Sequence, residues 1–307
     1  MKHIFVVNPC AGGRDRSGDI ATETARLGLD AEVYVTCAKG DATRFVASRC
    51  NEAYCEPLRF YACGGDGTLN EVVSGAIGHS GVEVSCYPCG SGNDFVRYFG
   101  NTDFLSLKKL LNATAQAVDV VRLTVDDRNS YCYAVNTLNF GFEAAVCRTM
   151  DEVRRKPFIG GPMAYTTGIL TSLIKSRHHR CRVTVDGEEW LDGEVLLLSL
   201  ANGQWAGGGY HCAPRAVADD GMMEVMSVKP LSIVRFAKLI KYYKNGQWLD
   251  REELNSIVNY RRGRSVVIEA GASTTVATDG ELVHGQHFAI EVLPKALLFA
   301  VPKPFIS

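Results

Sequence analysis

No stretch of these 307 residues approaches the run of about 20 apolar residues that spans a bilayer. After Lys2 only Ile4 to Val7 are apolar, too few for the central region of a secretory signal. The chain is therefore expected in the cytoplasm. An excess of one charge is missing as well: 33 Lys and Arg stand against 34 Asp and Glu, a formal net charge of -1. That excludes a protein that coats nucleic acid through a global positive field, and any anionic ligand must be met by a local site. A disulfide framework is also absent, because eleven cysteines, an odd number scattered from Cys10 to Cys212, read as reduced thiols. There is no Pro/Ser linker, internal repeat or low-complexity tract. What remains is 46% hydrophobic and 22% charged, enough to bury one large core or two ordinary ones.

Short apolar runs alternate with Gly-rich breaks and helix-compatible stretches in the first part of the chain. Strands are predicted at His3–Val7, Ala31–Thr36, Leu58–Cys63 and Glu83–Cys86, and helices at Asp19–Leu29, at Asp41–Ala53 and from Leu69 to Ala76. This alternation predicts a mostly parallel sheet with helices on its faces. After about residue 120 the text becomes β-rich. Strands are predicted at Val120–Val125, Tyr131–Asn136, Arg182–Val185, Val195–Ala201, Met223–Val228, Ser265–Glu269, Thr274–Thr278 and His287–Leu293, with a turn at Asp126–Asn129. Helical text interrupts them at Met163–Ser176 and Ser232–Tyr243. The expected architecture is an N-terminal three-layer α/β domain over residues 1–122 and a C-terminal β-sandwich with helical insertions over 123–295. A short crossover near Ala117–Leu123 would join them.

The most informative stretch is Cys63-Gly64-Gly65-Asp66-Gly67-Thr68-Leu69-Asn70-Glu71, which follows an apolar strand and opens a helix. Glycines let backbone N–H groups approach an anion, and a helix N-terminus adds positive potential, so a phosphate is favoured there. A carboxylate such as Asp66 inside a phosphate cradle repels the ligand unless a divalent cation intervenes, which points to a nucleotide with Mg²⁺. The alternative is a strand-to-helix turn with Asp66 as a cap. A second loop, Pro88-Cys89-Gly90-Ser91-Gly92-Asn93-Asp94-Phe95, repeats the pattern, and Asn8-Pro9-Cys10-Ala11-Gly12-Gly13 closes the first strand in the same manner. Loops after neighbouring parallel strands share the carboxyl edge of the sheet, where open α/β sheets bind ligands.

Standard nucleotide fingerprints fail. Gly13 to Gly18 has P-loop glycine spacing, but Asp19 and Ile20 stand where Lys and Ser or Thr are required. The G-x-G runs at Gly65 and Gly90 end on Asn70 and Phe95, so the dinucleotide fingerprint is missed twice.

Taken together, Asn8-Pro9 with Gly12, the run from Gly64 to Glu71 and the run from Gly90 to Phe95 resemble the diacylglycerol kinase catalytic family, which includes bacterial lipid kinases and sphingosine kinases. The resemblance continues through Asn139 to Glu143, Asn202-Gly203 with Gly207 to Gly209, Pro214 to Ala216 with Asp219-Asp220-Gly221, and Asp279-Gly280-Glu281. It covers almost the whole chain, whereas the Gly64–Thr68 run alone would also suit NAD kinases and phosphofructokinases.

The resemblance implies an NAD kinase/diacylglycerol kinase-like nucleotide domain, with ATP bound in the cleft beside the sandwich domain. Ala296–Val301 would return to the first domain. It implies transfer of the γ-phosphoryl group of ATP to a lipid hydroxyl with Mg²⁺, with diacylglycerol the leading acceptor. Gly64, Gly65, Asp66, Gly67, Thr68, Leu69 and Asn70 would wrap the phosphates with Asn8. Ser91 would contact them from the second loop, and Thr36 would lie at the edge of the nucleotide site, unless it is only a turn residue. Asp66, Asp94 and Asp119 would hold Mg²⁺ largely through waters; Asp119 alone also reads as a residue at a domain crossover. Glu281 would be the general base supported by Asp279, although Asp279-Gly280 by itself reads as a hairpin turn. Asp220 with the carbonyls of Val217 and Met222 would form a structural Mg²⁺ site, the alternative being an acidic β-turn with no ion.

Other features carry less. Cys86-Tyr87-Pro88-Cys89 has redox spacing but reads as two packed thiols, and His178-His179 and His284 with His287 as surface or hydrogen-bonding histidines. Basic clusters at Arg154-Arg155-Lys156, from Lys175 to Arg182, and at Arg261, Arg262 and Arg264 could meet an anionic membrane, with Phe158, Ile159, Ile169, Leu170 and Leu173 dipping in. Peripheral association with the inner face of the membrane is therefore expected, no nucleic acid, and by analogy a homodimer. Two rival readings are an NAD kinase-like phosphotransferase and a catalytically silent sensor of lipid or nucleotide on the same scaffold.

Overall fold

The computed structural model describes residues 1–52, 56–100, 103–126, 131–154 and 177–302. The helix predicted at Met163–Ser176 lies outside the described residues, as do Arg155, Lys156, Lys175, the apolar residues from Phe158 to Leu173 and most of the turn predicted at Asp126–Asn129. In chain order the first elements are β1 (Lys2–Val7), α1 (Ser17–Arg26), β2 (Ala31–Val35), α2 (Asp41–Glu52), β3 (Leu58–Gly64), α3 (Asp66–Ala76), β4 (Val82–Pro88), α4 (Asp94–Arg97) and α5 (Leu107–Leu111). Then follow β5 (Thr114–Val125), β6 (Tyr131–Ala134), β7 (Thr137–Gly141), α6 (Phe142–Arg154), β8 (His179–Val185), β9 (Glu188–Val195), β10 (Leu197–Ala201) and β11 (Met223–Val228). The last are α7 (Ile233–Lys244), β12 (Val258–Gly263), β13 (Ser265–Thr278) and β14 (Glu281–Val301). No helix among the described residues is long and apolar enough to cross a membrane.

The chain divides into two units: Met1–Val120 with the residues from Leu293 onward, and Val121–Val292. Both joints fall inside strands, because β5 and β14 each run from one unit into the other. The first joint falls within the short crossover expected near Ala117–Leu123, and it is made by continuous strand, since Ala117 to Val125 contains no Gly, Pro or Asn to break it.

In the first unit β4, β3, β1 and β2 lie side by side and parallel, and Leu298 and Phe299 of β14 pair in parallel with β4. β3 is buried at every position, as a central parallel strand covered on both faces must be. Its one charge is matched: Arg59 donates to Glu83 at 2.7 Å and to the carbonyls of Leu110, Leu111 and Ala113. α3 starts at Asp66, three residues before the predicted start, because extended Gly65 serves as its N-cap.

In the second unit, β12, β11, β10, β7, β13 and β14 form an antiparallel series. β13 pairs with β8 through Val266–Ala270 and with β7 through Val276–Thr278, the register shifting between Glu269 and Thr274. A strand that changes partners at such an irregularity makes a corner of a sandwich. Leu123 of β5 is fully buried and belongs to the main core of this unit with Phe140, Val183, Leu198, Ile268 and Phe288.

A second cluster lies under α7 and includes Phe236, Trp248 and Leu254. It contains an apolar cavity of about 60 Å³ lined by one carboxyl, Glu143, which accepts a hydrogen bond from the Tyr243 hydroxyl. Desolvation raises the Glu143 pKa above its ordinary 4.5, and the Tyr243 bond lowers it less. Because the folded state holds this proton more tightly than the unfolded one, stability is lost as pH rises from 4.5 through the raised value. Glu143→Gln is expected to melt higher than wild type at pH 8 and to lose that advantage at pH 4. Parallel melting profiles of the two proteins across pH would contradict this.

Candidate active site

Three loops, the first, second and third in chain order, leave the carboxyl ends of β1, β3 and β4, and the parallel order of those strands puts them on one edge. They interlock through backbone. The Gly64 carbonyl accepts N–H from both Cys89 and Gly90, at 2.9 and 3.1 Å. A Cβ on Gly90 would lie 2.3 Å from the Gly65 Cα, and one on Gly64 would lie 2.2 Å from the Thr68 Oγ1. Gly12, at φ 64°, would put a Cβ 2.3 Å from the Cys89 carbonyl oxygen. Glycine is therefore required by close approach at these positions, and no side chain caps the N-terminus of α3. An uncapped helix N-terminus beside exposed loop backbone is a site suited to phosphate.

Asp66, the first residue of α3, does not point into an open cradle. Its Oδ2 accepts the Asn93 N–H at 2.8 Å and its Oδ1 the Asp94 N–H at 2.7 Å. The carboxylate thus ties the second loop to the third and caps α4, whose entry residue Asn93 sits at φ 55° in the left-handed region. Burial raises the Asp66 pKa, while donation from the amides of Asp94 and Asn93 acts in the opposite direction. Asp94 is buried beside it, since a Cβ on Gly92 would lie 2.4 Å from the Asp66 Oδ2 and 3.7 Å from the Asp94 Oδ2. Arg97 stands 3.4 Å from the Asp94 Oδ1, a partner signalled only by its i,i+3 spacing.

The remaining loop residues divide by what their side chains can reach. Asn8 donates to the Thr68 Oγ1 at 3.2 Å and accepts the Cys10 N–H at 3.0 Å, joining the first loop to the second. Leu69 is buried in the core, so only its backbone is available to a ligand. Gly67 and Asn70 are half-buried on α3, and Ser91 is exposed at the loop tip. Thr36 turns its hydroxyl back onto the Val7 carbonyl at 3.3 Å, as a strand-end residue does. Cys86 is buried and Cys89 half-buried, both free, and desolvation raises both thiols, most strongly Cys86, which disfavours redox chemistry.

Asp119 is fully buried on β5, and its Oδ1 accepts the Lys295 N–H at 2.7 Å, where Lys295 sits at φ 53° and kinks β14. In the second unit Asp279 and Gly280, at φ 48° and 89°, form the tight turn from β13 to β14. The Asp279 carboxylate accepts three amides, those of Val135, Asn136 and Thr137, at 2.9, 3.1 and 2.8 Å. Glu281 opens β14 paired with Thr278, so the locked turn fixes where its side chain starts.

The donor sets can be tested against Mg²⁺. Among the described residues no three His, Cys, Asp or Glu side chains converge as a metal-binding group. Asp66 and Asp94 are hard oxygen donors at the phosphate edge and suit an ion that keeps its waters. The loop from Val217 to Met222 does not suit one. The Asp220 Oδ1 accepts the Met222 N–H at 3.0 Å, and its Oδ2 is paired with the Arg262 guanidinium, which also donates to Glu224 at 2.9 Å. The positive charge assigned there to a metal is supplied by Arg262, which the sequence presented as part of a basic cluster. Glu224 is only 1% exposed in its side chain, so Arg262→Ala leaves a buried carboxylate without its cation. That change is expected to cost about 2–3 kcal/mol, below the full buried-pair value because Arg262 is partly exposed. Chelator is expected to leave the wild-type melting temperature unchanged; a chelator-induced drop would restore the metal assignment.

Comparison with known proteins bears on the family and the fold of the two units. The diacylglycerol kinase catalytic domain matches residues 2–123, and the YegS C-terminal NAD kinase beta sandwich-like domain matches residues 136–301. A protein named "Probable lipid kinase YegS-like" from Xanthomonas euvesicatoria is 31% identical over 286 residues, covering 90% of this chain and 88% of that protein. One of the same name from Enterobacter sp. is 27% identical over 308 residues, covering 97% and 95%. A crystal structure of a diacylglycerol kinase from Bacillus anthracis shares the fold with a TM-score of 0.71 at 20% identity, covering 100% of this chain and 98% of that one. An NAD kinase from Archaeoglobus fulgidus in complex with ATP superposes with a TM-score of 0.51 at 14% identity, covering 99% and 94%.

Proposed function

The chain belongs to the family of the diacylglycerol kinase catalytic domain, and from that premise we propose that it transfers the γ-phosphoryl group of ATP to a lipid hydroxyl, with diacylglycerol the first acceptor to consider. The observation that carries this reading is the backbone interlock of Gly64, Gly65 and Gly90 at the N-terminus of α3. Amides held so closely offer donors to phosphate oxygens that need not reorganise as charge shifts during transfer.

In this reading the bond from the γ-phosphorus to the bridging oxygen of ADP breaks, and a bond to the lipid oxygen forms. The proton of that hydroxyl goes to the Glu281 carboxylate. Asp279 is a positioning residue, holding the 135–137 backbone and the turn before Glu281. Asp66 positions the third loop through the amides of Asn93 and Asp94. Asp94 and Asp66 are the carboxylates that would hold Mg²⁺ through its waters, and the ion would supply neutralisation of charge on the phosphates. The acceptor resides in a leaflet, so the protein works in peripheral contact with a membrane.

The test is transfer of labelled γ-phosphate from ATP to a panel of neutral lipids in mixed micelles with Mg²⁺, beside NAD in detergent-free buffer. A phosphorylated lipid supports the reading, and diacylglycerol as the best acceptor supports its finer form. Label on NAD alone would make the chain an NAD kinase-like phosphotransferase. No transfer to any acceptor, with ATP still bound, would make it a sensor.

A further inference from the structure

Most positive charge on the described surface is cancelled where it stands. Arg180 and Arg182 lie 3.0 and 3.2 Å from Asp192, and Glu189 is 3.6 Å from Arg182. Arg261 is 2.8 Å from Glu188, and Arg262 is paired with Asp220 and Glu224. The segment from Lys229 to Lys244 differs. It carries five basic residues and no acidic one, in a chain whose net charge is -1.

α7 occupies most of that segment and has a divided surface. Phe236, Leu239, Ile240 and Tyr243 face the core under the helix. Val234, Lys238 and Lys241, spaced i, i+4 and i+7, fall on one outward line, with Arg235 and Lys244 on its flanks. Among the described residues, no ion pair involves Arg235, Lys238, Lys241 or Lys244. Val234 is 67% exposed and its neighbour Ile233 40%, two adjacent large apolar side chains in the first turn. Stabilisation of the helix dipole accounts for Lys241 and Lys244 in the last turn. It does not account for Arg235, a cation in a first turn that has no acidic residue, nor for exposed Val234.

We propose that the outward face of α7 docks the protein on an anionic lipid surface, Arg235, Lys238, Lys241 and Lys244 meeting the headgroups and Ile233 and Val234 entering the headgroup boundary. Cations that face no carboxylate are attracted there without first breaking an internal ion pair, and a small apolar tip adds burial that headgroup attraction alone lacks. The inference rests on the lipid kinase reading for its purpose, but its binding test does not depend on catalysis.

The experiment sediments the full-length protein with vesicles of phosphatidylcholine alone and of phosphatidylcholine with phosphatidylglycerol. Wild type is expected to bind the anionic vesicles preferentially and to be released by salt. Each charge removed should weaken binding about 5-fold, so Arg235→Gln/Lys238→Gln/Lys241→Gln should lose about 100-fold, with the melting temperature lowered by only a few degrees through the lost helix-end charge of Lys241. Arg180→Gln/Arg182→Gln, in a neutralised cluster, should bind nearly as wild type. The proposal is overturned if wild type does not prefer anionic vesicles, as would hold were the face built for an acidic protein, or if the triple variant binds them undiminished. Failure of the kinase reading would show separately, as absence of phosphate transfer to lipid in uncharged micelles, where the triple variant and wild type should otherwise have equal rates.

Discussion

Gly90→Ala is expected to lower phosphate transfer about 10²–10³-fold while leaving the protein folded. The added methyl would lie 2.3 Å from the Gly65 Cα and 2.9 Å from the Gly65 nitrogen, both backbone atoms that no rotamer change can move. The third loop must then separate from the second, and the amides at the start of α3 lose their alignment. A displacement of about 1 Å in a phosphoryl-transfer site costs about 100-fold in rate. The core should be affected little, because the contact is between loops at the sheet edge. Gly18→Ala is the control: it lies in α1 with nothing within 4 Å of a built Cβ, so its rate should match wild type. The measurement is the steady-state rate of labelled phosphate transfer, with the melting temperature taken alongside. Equal rates for Gly90→Ala and Gly18→Ala would remove the interlock from the mechanism.

The second large effect separates two neighbours that the sequence presents as one motif. Glu281→Gln is expected to reduce transfer about 10²–10⁴-fold, the usual contribution of a general base, with little change in stability. Asp279→Ala is expected to act through structure. Its carboxylate satisfies the amides of Val135, Asn136 and Thr137, and alanine would also have to adopt the left-handed conformation at φ 48°. The combined loss is about 3 kcal/mol, or about 6–12 °C in melting temperature for a unit of this size. Rate and melting temperature measured on both variants distinguish the roles. A Glu281→Gln protein with undiminished turnover would sink the base assignment, and an Asp279→Ala protein that melts as wild type would sink the positioning role.

Period and punctuation in the sequence were sufficient for the strands of the first unit and for the three loops at their ends. A parallel sheet leaves the apolar run and the following Gly cluster next to each other in the chain, so both can be read locally. The same holds for the Asp279-Gly280 turn, whose φ values follow from its residue types. The resemblance carried the whole set of candidate residues, since its motifs are contiguous.

Residue types did not determine what each carboxylate touches. Asp66 and Asn93 are 27 residues apart, Asp119 and Lys295 are 176 apart, and Asp279 reaches back 144 residues to Val135. Arg262 stands 42 residues from Asp220, where the sequence pointed to a metal. Nor did the text around Arg261 reveal that its positive charge is cancelled while that of α7 is not. An acid's role depends on the donors packed against it, and a base's reach depends on the carboxylates nearby. Both are set by which strands become neighbours, so the sequence alone determined the strands of the parallel sheet and the glycine loops, and the tertiary structure decided which charges remain available for chemistry.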